Sequence, residues 1–343
     1  MNFYRLIFPI LSALLPPEPA HQIALKILSS PLTIRLIKAI NHKINFHFAP
    51  QNICGAVFPN PIGLAAGFDK NAEALPAWQA LGFGFVEIGT VTPLPQDGNP
   101  KPRLFRVCKE HALINRMGFP NIGAAAVAQR LSRLKNSGLY PTIPIGINVA
   151  KNKNTPIESA SEDYAQAVKI LNPYADYFTL NISSPNTPGL RLLQSPESIQ
   201  EIVQACRNVT QRPLFIKLAP DLDLYVFLRI LEYCRTAPIQ GLVLTNTLLE
   251  RPLRFSSNEK GGISGRPLHH AAVDRVRIAS ESLSGTQIKI IGVGGIESLN
   301  TLRDFIDAGA HLVQLYTGLV YQGPSLLNEF ARSWHLIQSQ RPL

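Results

Sequence analysis

Eight short apolar segments recur along this chain, each followed by a stretch of helical character, and that alternation constrains the fold more than any other feature. The predicted strands cover 62–66, 83–89, 143–149, 177–182, 214–218, 241–245, 288–293 and 311–316. Helix-like stretches lie between them at 71–81, 161–171, 196–209, 222–236, 267–280 and 298–308, and a closing helix is expected over 325–338. Strands that alternate with helices pair in parallel through right-handed crossovers. Eight such units in roughly 260 residues fit a closed (β/α)8 barrel, an α/β fold, better than an open sheet. Apolar residues make up 45% of the 343, enough for a core of that size. The longest insertion, 91–142, contains 104–107 and 111–114, which read as a small hairpin, and a helix near 122–134.

In such a barrel the functional groups sit at the C-terminal ends of the strands. Taken in order, those ends carry Ala65-Ala66-Gly67-Phe68-Asp69-Lys70, Gly89-Thr90, Asn148, Asn181, Lys217, Thr245-Asn246-Thr247, Gly294-Gly295 and Tyr316-Thr317. Each alone is compatible with ordinary turn chemistry. A whole rim of amides, hydroxyls, glycines and two lysines points instead to a polar ligand held in the barrel mouth. The richest end is Asn181-Ile182-Ser183-Ser184-Pro185-Asn186-Thr187-Pro188-Gly189-Leu190-Arg191, a loop stiffened by proline and glycine.

The residue types narrow the chemistry. Ser184 has no histidine nearby in sequence and lies in no Gly-x-Ser-x-Gly elbow, so a hydrolase triad is disfavoured. It can instead accept a proton from carbon, passing it to a hydroxyl or water because serine is a poor base; Thr187 is the nearest relay. Lys70 and Lys217 would stabilise a developing anion, and Asn115-Arg116 in the insertion suit an anionic substrate. Gly292-Val293-Gly294-Gly295 before a helix predicts a phosphate site. No dinucleotide fingerprint stands in the right context, which favours a phosphate-bearing cofactor smaller than NAD. The four cysteines are scattered without metal or redox spacing, so no metal site is expected.

The formal net charge of +10 admits a nucleic-acid or anionic-membrane partner. Residues 1–43 form a separate module ahead of a barrel domain spanning 44–343, with helices expected over 3–15, 20–28 and 32–40, the first interrupted by Pro9. Cations interleave with Ile and Leu there, leaving a balance of +4 over residues 1–50. A secretory signal peptide would use Arg5 and the following apolar run, but no small-residue cleavage site follows and the amphipathic pattern continues. Helices that pack on the core are one expectation; helices that lie on an anionic membrane surface are the preferred one.

Several of these segments, taken together and in order, resemble dihydroorotate dehydrogenases. They are Asn115-Arg116-Met117-Gly118-Phe119, the loop from Asn181 to Arg191, Lys217-Leu218-Ala219-Pro220-Asp221, Thr245-Asn246-Thr247, Gly261-Gly262-Ile263-Ser264-Gly265-Arg266-Pro267-Leu268 and the glycine turn from Ile291 to Ile296. The likeness runs from about residue 15 to 330. Ser184, where other members carry cysteine, and the N-terminal helices are similar to the membrane-associated, quinone-dependent class. The resemblance implies FMN in the mouth and oxidation of dihydroorotate to orotate in pyrimidine biosynthesis. Ser184 would be the catalytic residue, taking the C5 proton as hydride passes from C6 to flavin N5. It further implies that Ala66, Gly67, Phe68, Asp69, Lys70, Thr90, Asn148, Asn181, Lys217, Thr245, Gly265, Gly295, Tyr316 and Thr317 hold the flavin. Lys70, Asn115, Arg116, Met117, Gly118, Phe119, Asn181, Asn186, Asn246 and Thr247 would hold the substrate. His21 and Arg106 would line a quinone tunnel under the N-terminal helices. On this reading the protein is peripheral to the cytoplasmic face of a bacterial cell membrane, with neither nucleic acid nor metal as partner. The competing likeness, a tRNA dihydrouridine synthase, predicts a helical RNA-binding domain after the barrel and a cysteine acid, where this chain has Ser184.

Overall fold

The computed structural model describes residues 3–253 and 255–338; residues 1–2 of the expected N-terminal module and 254 and 339–343 of the expected barrel domain lie outside the described residues. The eight predicted strands are all present: β1 (Ile62–Leu64), β2 (Phe85–Val91), β3 (Ile145–Val149), β4 (Tyr177–Asn181), β5 (Leu214–Leu218), β6 (Gly241–Leu244), β7 (Lys289–Val293) and β8 (Leu312–Leu315). They close into a parallel barrel in the order β6-β7-β8-β1-β2-β3-β4-β5. Both faces of the strands are buried, which is why they read as continuous apolar runs rather than alternating ones.

The barrel interior is filled by a size exchange between neighbouring strands. Phe85, Tyr177 and Phe215 point inward, and Gly63, Gly146 and Gly241 on adjacent strands make room for them. A methyl group on those glycines would lie 2.2, 2.1 and 2.3 Å from the three rings. Below this layer a hairpin, Gln51–Ile53 with Ala56–Phe58, plugs the N-terminal end, and Phe58 meets Phe85 edge-on at 5.3 Å. Sequence reading missed this hairpin because each arm is only three residues long.

Above the barrel the expected hairpin, Leu104–Val107 with Ala112–Asn115, gains a third antiparallel strand, Gly262–Gly265, from the loop after β6. The helix expected over 71–81 begins only at Leu75. The cause is Asp69, whose buried carboxylate accepts the Glu73 and Ala74 N–H groups at 2.7 and 2.9 Å and the Trp78 indole N–H at 2.9 Å. Its bonds wrap residues 70–74 into a turn before the helix can start.

Three N-terminal helices, α1 (Phe3–Leu14), α2 (Pro17–Leu28) and α3 (Pro31–Asn41), dock on one side of the barrel mouth. The expected interruption at Pro9 is not seen; α1 runs through it. Interior proline costs about 3 kcal/mol, and here tertiary contacts offset it: Phe8 packs on Tyr321 at 5.2 Å and the Tyr4 hydroxyl donates to the Val320 carbonyl at 2.7 Å. Pro16 and Pro17 end α1, and Pro17 then opens α2, where a missing N–H does no harm. Arg103 holds α2 through Glu18 at 2.8 Å, and Asn41 on α3 donates to the Ala80 carbonyl at 3.1 Å.

Candidate functional site

The strand ends converge on a cleft in the barrel mouth whose empty space, open side included, is about 1040 Å³. Ala66, Gly67, Lys70, Thr90, Asn181, Lys217, Thr245, Gly265, Gly295, Tyr316 and Thr317 line it, as do Asn115, Met117, Gly118, Phe119, Ser184, Asn186, Asn246 and Thr247. Segments as far apart as residues 66 and 317 thus share one wall.

One half of the cleft is a web of carboxamides and hydroxyls. The Thr90 hydroxyl donates to Asn148 Oδ1 at 2.6 Å, and Asn181 Nδ2 donates to Thr90 Oγ1 at 3.0 Å and Asn148 Oδ1 at 3.1 Å. A shift in the β2–β3 register between Ile88 and Val91 lets Thr90 reach into this web. Asn246 Nδ2 reaches Ser183 Oγ at 2.9 Å, and Asn186 Nδ2 reaches Asn115 Oδ1 at 3.0 Å. Each amide is oriented by its neighbours before any ligand arrives.

Beneath the web lies a group that sequence reading overlooked. Glu87 is fully buried, and its carboxylate accepts from Asn148 Nδ2 (2.9 Å), Tyr177 OH (3.2 Å), Thr179 Oγ1 (3.0 Å) and Gln314 Nε2 (2.7 Å). Lys217 stands close enough to feel its charge: burial lowers the lysine's pKa and Glu87 opposes the shift. No hydrogen bond engages the Lys217 ammonium among the described residues, so it faces the cleft as an uncommitted donor. Gln314 also lines the cleft, with its Oε1 buried and unpartnered. The strand pattern hid Glu87 and Gln314, since a polar side chain inside a barrel strand looks in sequence like any outward-facing one.

Ser184 is buried at 5% exposure, and its Oγ accepts the Asn186 N–H at 3.3 Å. It has no histidine or carboxylate partner among the described residues, so the site lacks the general base of a hydrolase triad. Thr187, on the same loop, has its Oγ1 buried and unpartnered. Lys70 donates to the Gly67 carbonyl at 2.7 Å; burial and the Arg103 guanidinium lower its pKa to about 8 against the pull of Glu18, Asp69 and Glu73.

The glycine turn after β7 lines one corner of the cleft. Gly295 and Gly265 both have positive φ, and a methyl on Gly295 would lie 2.7 Å from His269 Cβ, so side chains are excluded there. The helix after β7, Leu299–Asp307, opens with a capping box in which Ser298 Oγ accepts the Thr301 N–H and Thr301 Oγ1 accepts the Ser298 N–H. The short helix after β8, Thr317–Gln322, has no side-chain cap, and Thr317 and Gly318 line the cleft. The β7 glycines Gly294 and Gly295 and the β8 turn at Thr317 and Gly318 thus line one corner of the cleft.

Four residues expected to touch ligand do not line the cleft: Phe68, Asp69, Asn148 and Arg116. Asp69 is consumed by its turn, and Phe68 packs between His21, Trp78 and Tyr316. Asn148 sits behind Thr90 and Asn181 as their anchor. Arg116 turns outward to Glu259 at 2.9 Å with its guanidinium over Phe105. The two residues expected along a tunnel also stand apart from the cleft. His21 meets Phe68 at 4.9 Å on α2, where burial and Lys70 push its pKa down to about 4. Arg106 donates to the Leu15 and Ser12 carbonyls at 2.6 and 3.3 Å and so caps the end of α1. Ser264 and Ile296 also line the cleft, beyond the site residues expected; Ser264 bonds Thr317 Oγ1 at 2.8 Å.

Known proteins agree with this geometry. The model of the dihydroorotate dehydrogenase family matches residues 48–334. A dihydroorotate dehydrogenase (quinone) of Thermus thermophilus is 47% identical over 320 residues, 90% of each chain. One of Chloroflexus aurantiacus is 44% identical over 335 residues, 92% of this chain and 91% of that one. Among solved structures, the dihydroorotate dehydrogenase of Eimeria tenella in complex with ferulenol superposes with a TM-score of 0.83 at 36% identity, covering 95% of this chain and 92% of that one. Its ligand-free form gives 0.84, covering 95% and 96%. The chain belongs to the dihydroorotate dehydrogenase family.

Proposed function

We propose that the protein oxidises dihydroorotate to orotate and passes the electrons to a membrane quinone. The observation that carries this reading is Ser184, buried among oriented carboxamides without a basic partner. That is a poor nucleophile site but a suitable proton acceptor when another group removes hydride from the neighbouring carbon. FMN fits the cleft: the side-chain-free corner at Gly265 and Gly295 suits its phosphate, and the uncommitted Lys217 ammonium suits an electron-rich ring. When bound, FMN supplies a two-electron acceptor that takes hydride from the substrate and delivers the electrons onward.

Asn115, Asn181, Asn186, Asn246 and Thr247 would pair with the donors and acceptors of the pyrimidine ring, and Lys70 with its carboxylate. Ser184 Oγ takes the ring proton, and the buried Thr187 hydroxyl is the relay toward solvent. Anaerobic addition of dihydroorotate should bleach the flavin of the purified protein; a flavin-loaded protein that stays yellow overturns the reading. Quinone, but neither fumarate nor NAD, should restore the colour.

The state of Lys70 sets a pH dependence. With its pKa near 8 the ammonium is present below that value and lost above it. Orotate affinity, followed by flavin absorbance, should hold steady from about pH 6 to 7.5 and then fall up to about tenfold per pH unit. Lys70→Met should bind weakly at every pH, with that inflection gone.

Membrane attachment rests on a row of exposed apolar side chains: Leu6, Ile10 and Leu14 on α1, Ile23 and Ile27 on α2, and Leu32, Leu36 and Ile40 on α3. Each follows the last by about one helical turn, which makes one apolar stripe per helix, flanked by Lys26, Arg35 and Lys38. No described helix is long and apolar enough to cross a membrane; on the exposed stripes and flanking cations, these helices would lie on the anionic inner surface. Quinone would reach the flavin beneath them, past His21 and Arg106.

A further inference from the structure

The loop that carries Ser184 is held by one side chain to which neither the chemistry nor the cofactor assigns a role. Arg191 follows Gly189 at the start of a short 3-10 turn, Leu190–Leu193, and its guanidinium turns back under the loop. Nε donates to the Ser183 carbonyl at 3.2 Å, Nη2 donates to the Thr247 carbonyl at 3.2 Å, and Nη1 forms an ion pair, without hydrogen-bond alignment, with Asp221 Oδ1 at 2.9 Å. Asp221 Oδ2 in turn accepts the Leu249 N–H at 3.1 Å. One planar group therefore ties together the loops that follow β4, β5 and β6, which are consecutive in the barrel.

The anchored atoms matter more than their number. Ser183 immediately precedes Ser184, and Thr247 follows Asn246, whose amide holds Ser183 Oγ at 2.9 Å. Among the described residues Ser184 Oγ has only a 3.3 Å bond from the Asn186 N–H, too weak to fix a proton acceptor. At its far end the loop is tied by Asn99, which donates to the Asn186 carbonyl at 3.0 Å. The segment from Ser183 to Asn186 is thus clamped at both ends, and Arg191 makes the clamp that joins it to the substrate-facing loop after β6. The planar guanidinium can give two diverging hydrogen bonds and keep an ion pair at once; lysine has a single ammonium centre.

We propose that Arg191 is a positioning residue for Ser184, holding its hydroxyl in register with the substrate through the carbonyls of Ser183 and Thr247. This rests on Ser184 being the proton acceptor. The experiment separates the two half-reactions of the flavin-loaded enzyme by stopped flow, using Arg191→Lys and Arg191→Gln. Reduction by dihydroorotate should slow on the order of 30–100-fold in both variants, because a displacement near 1 Å costs about that much. Reoxidation by a short-chain quinone should stay within about twofold, since the bonds of Arg191 all go to the β4, β5 and β6 loops and none to α1 or α2. Amide exchange at 182–188 should speed up in the same variants while the barrel strands keep wild-type protection.

Reduction within about threefold of wild type, or equal slowing of both half-reactions, would overturn the proposal. Should both variants lose flavin, Asp221→Asn keeps the arginine and frees one arm; reduction slowed roughly 3–10-fold supports the clamp, and an unchanged rate sinks it. Wild-type enzyme that dihydroorotate fails to bleach would count against the proposed function instead. Exchange at 182–188 would then still decide whether Arg191 restrains the loop.

Discussion

Ser184→Ala should slow flavin reduction by dihydroorotate about 10²–10⁴-fold while orotate affinity changes less than about threefold. The split follows from the contacts. Ser184 Oγ takes part in one hydrogen bond, from the Asn186 N–H, so its removal disturbs little of the surrounding web. Asn186 keeps its amide bond to Asn115, and Asn181 keeps Thr90 and Asn148. Binding groups therefore stay in place while the proposed proton acceptor disappears. Single-turnover absorbance gives the reduction rate and flavin titration gives the affinity; equal losses in both would reduce Ser184 to a binding contact. Ser184→Cys supplies a group of lower intrinsic pKa, about 8.5, so the reduction rate should retain more activity than alanine and rise at lower pH than in wild type.

The second large effect concerns the N-terminal helices. Changing Leu6, Ile10, Leu14, Leu36 and Ile40 together to glutamine should lower partitioning onto anionic vesicles on the order of a thousandfold, at about 1 kcal/mol for each partly inserted side chain. Turnover with a long-chain quinone should fall in parallel, while bleaching by dihydroorotate and turnover with a water-soluble quinone stay near wild type. These positions are exposed, so the substitutions leave the docked face alone. Deleting residues 1–43 is a blunter version of the test. It also removes the Glu18 partner of Arg103, the Asn41 bond to Ala80 and the buried Leu25, so it injures the barrel mouth as well as the membrane face. Pelleting of the glutamine variant with vesicles as efficiently as wild type would contradict the surface-attachment reading.

Strand positions were legible because parallel barrel strands are buried on both faces and leave apolar runs such as Gly241–Leu244. Ser184, Asn181 and Lys217 were legible because the barrel rule turns a strand end into a location. Side-chain direction was not. Asp69 and Arg116 have the residue types of ligand contacts, yet one is spent organising a turn and the other pairs outward with Glu259. Pro9 shows the same limit for backbone: local preference breaks the helix there, and the docking of Tyr4 and Phe8 overrides it.

By itself the sequence determined the eightfold βα order, the polar rim and the apolar stripes of α1 to α3, since each depends on neighbours a few residues apart. Tertiary structure alone decided the Glu87 hub, the strand Gly262–Gly265 against the hairpin, the meeting of the β7 glycines with the β8 turn, and the Arg191 clamp. Each of those joins groups from separate segments of the chain, such as Glu87 and Gln314 on β2 and β8. No local pattern records such a pairing. It arises because a closed barrel forces polar groups on distant strands into one dry interior, where each must find a partner or face the ligand.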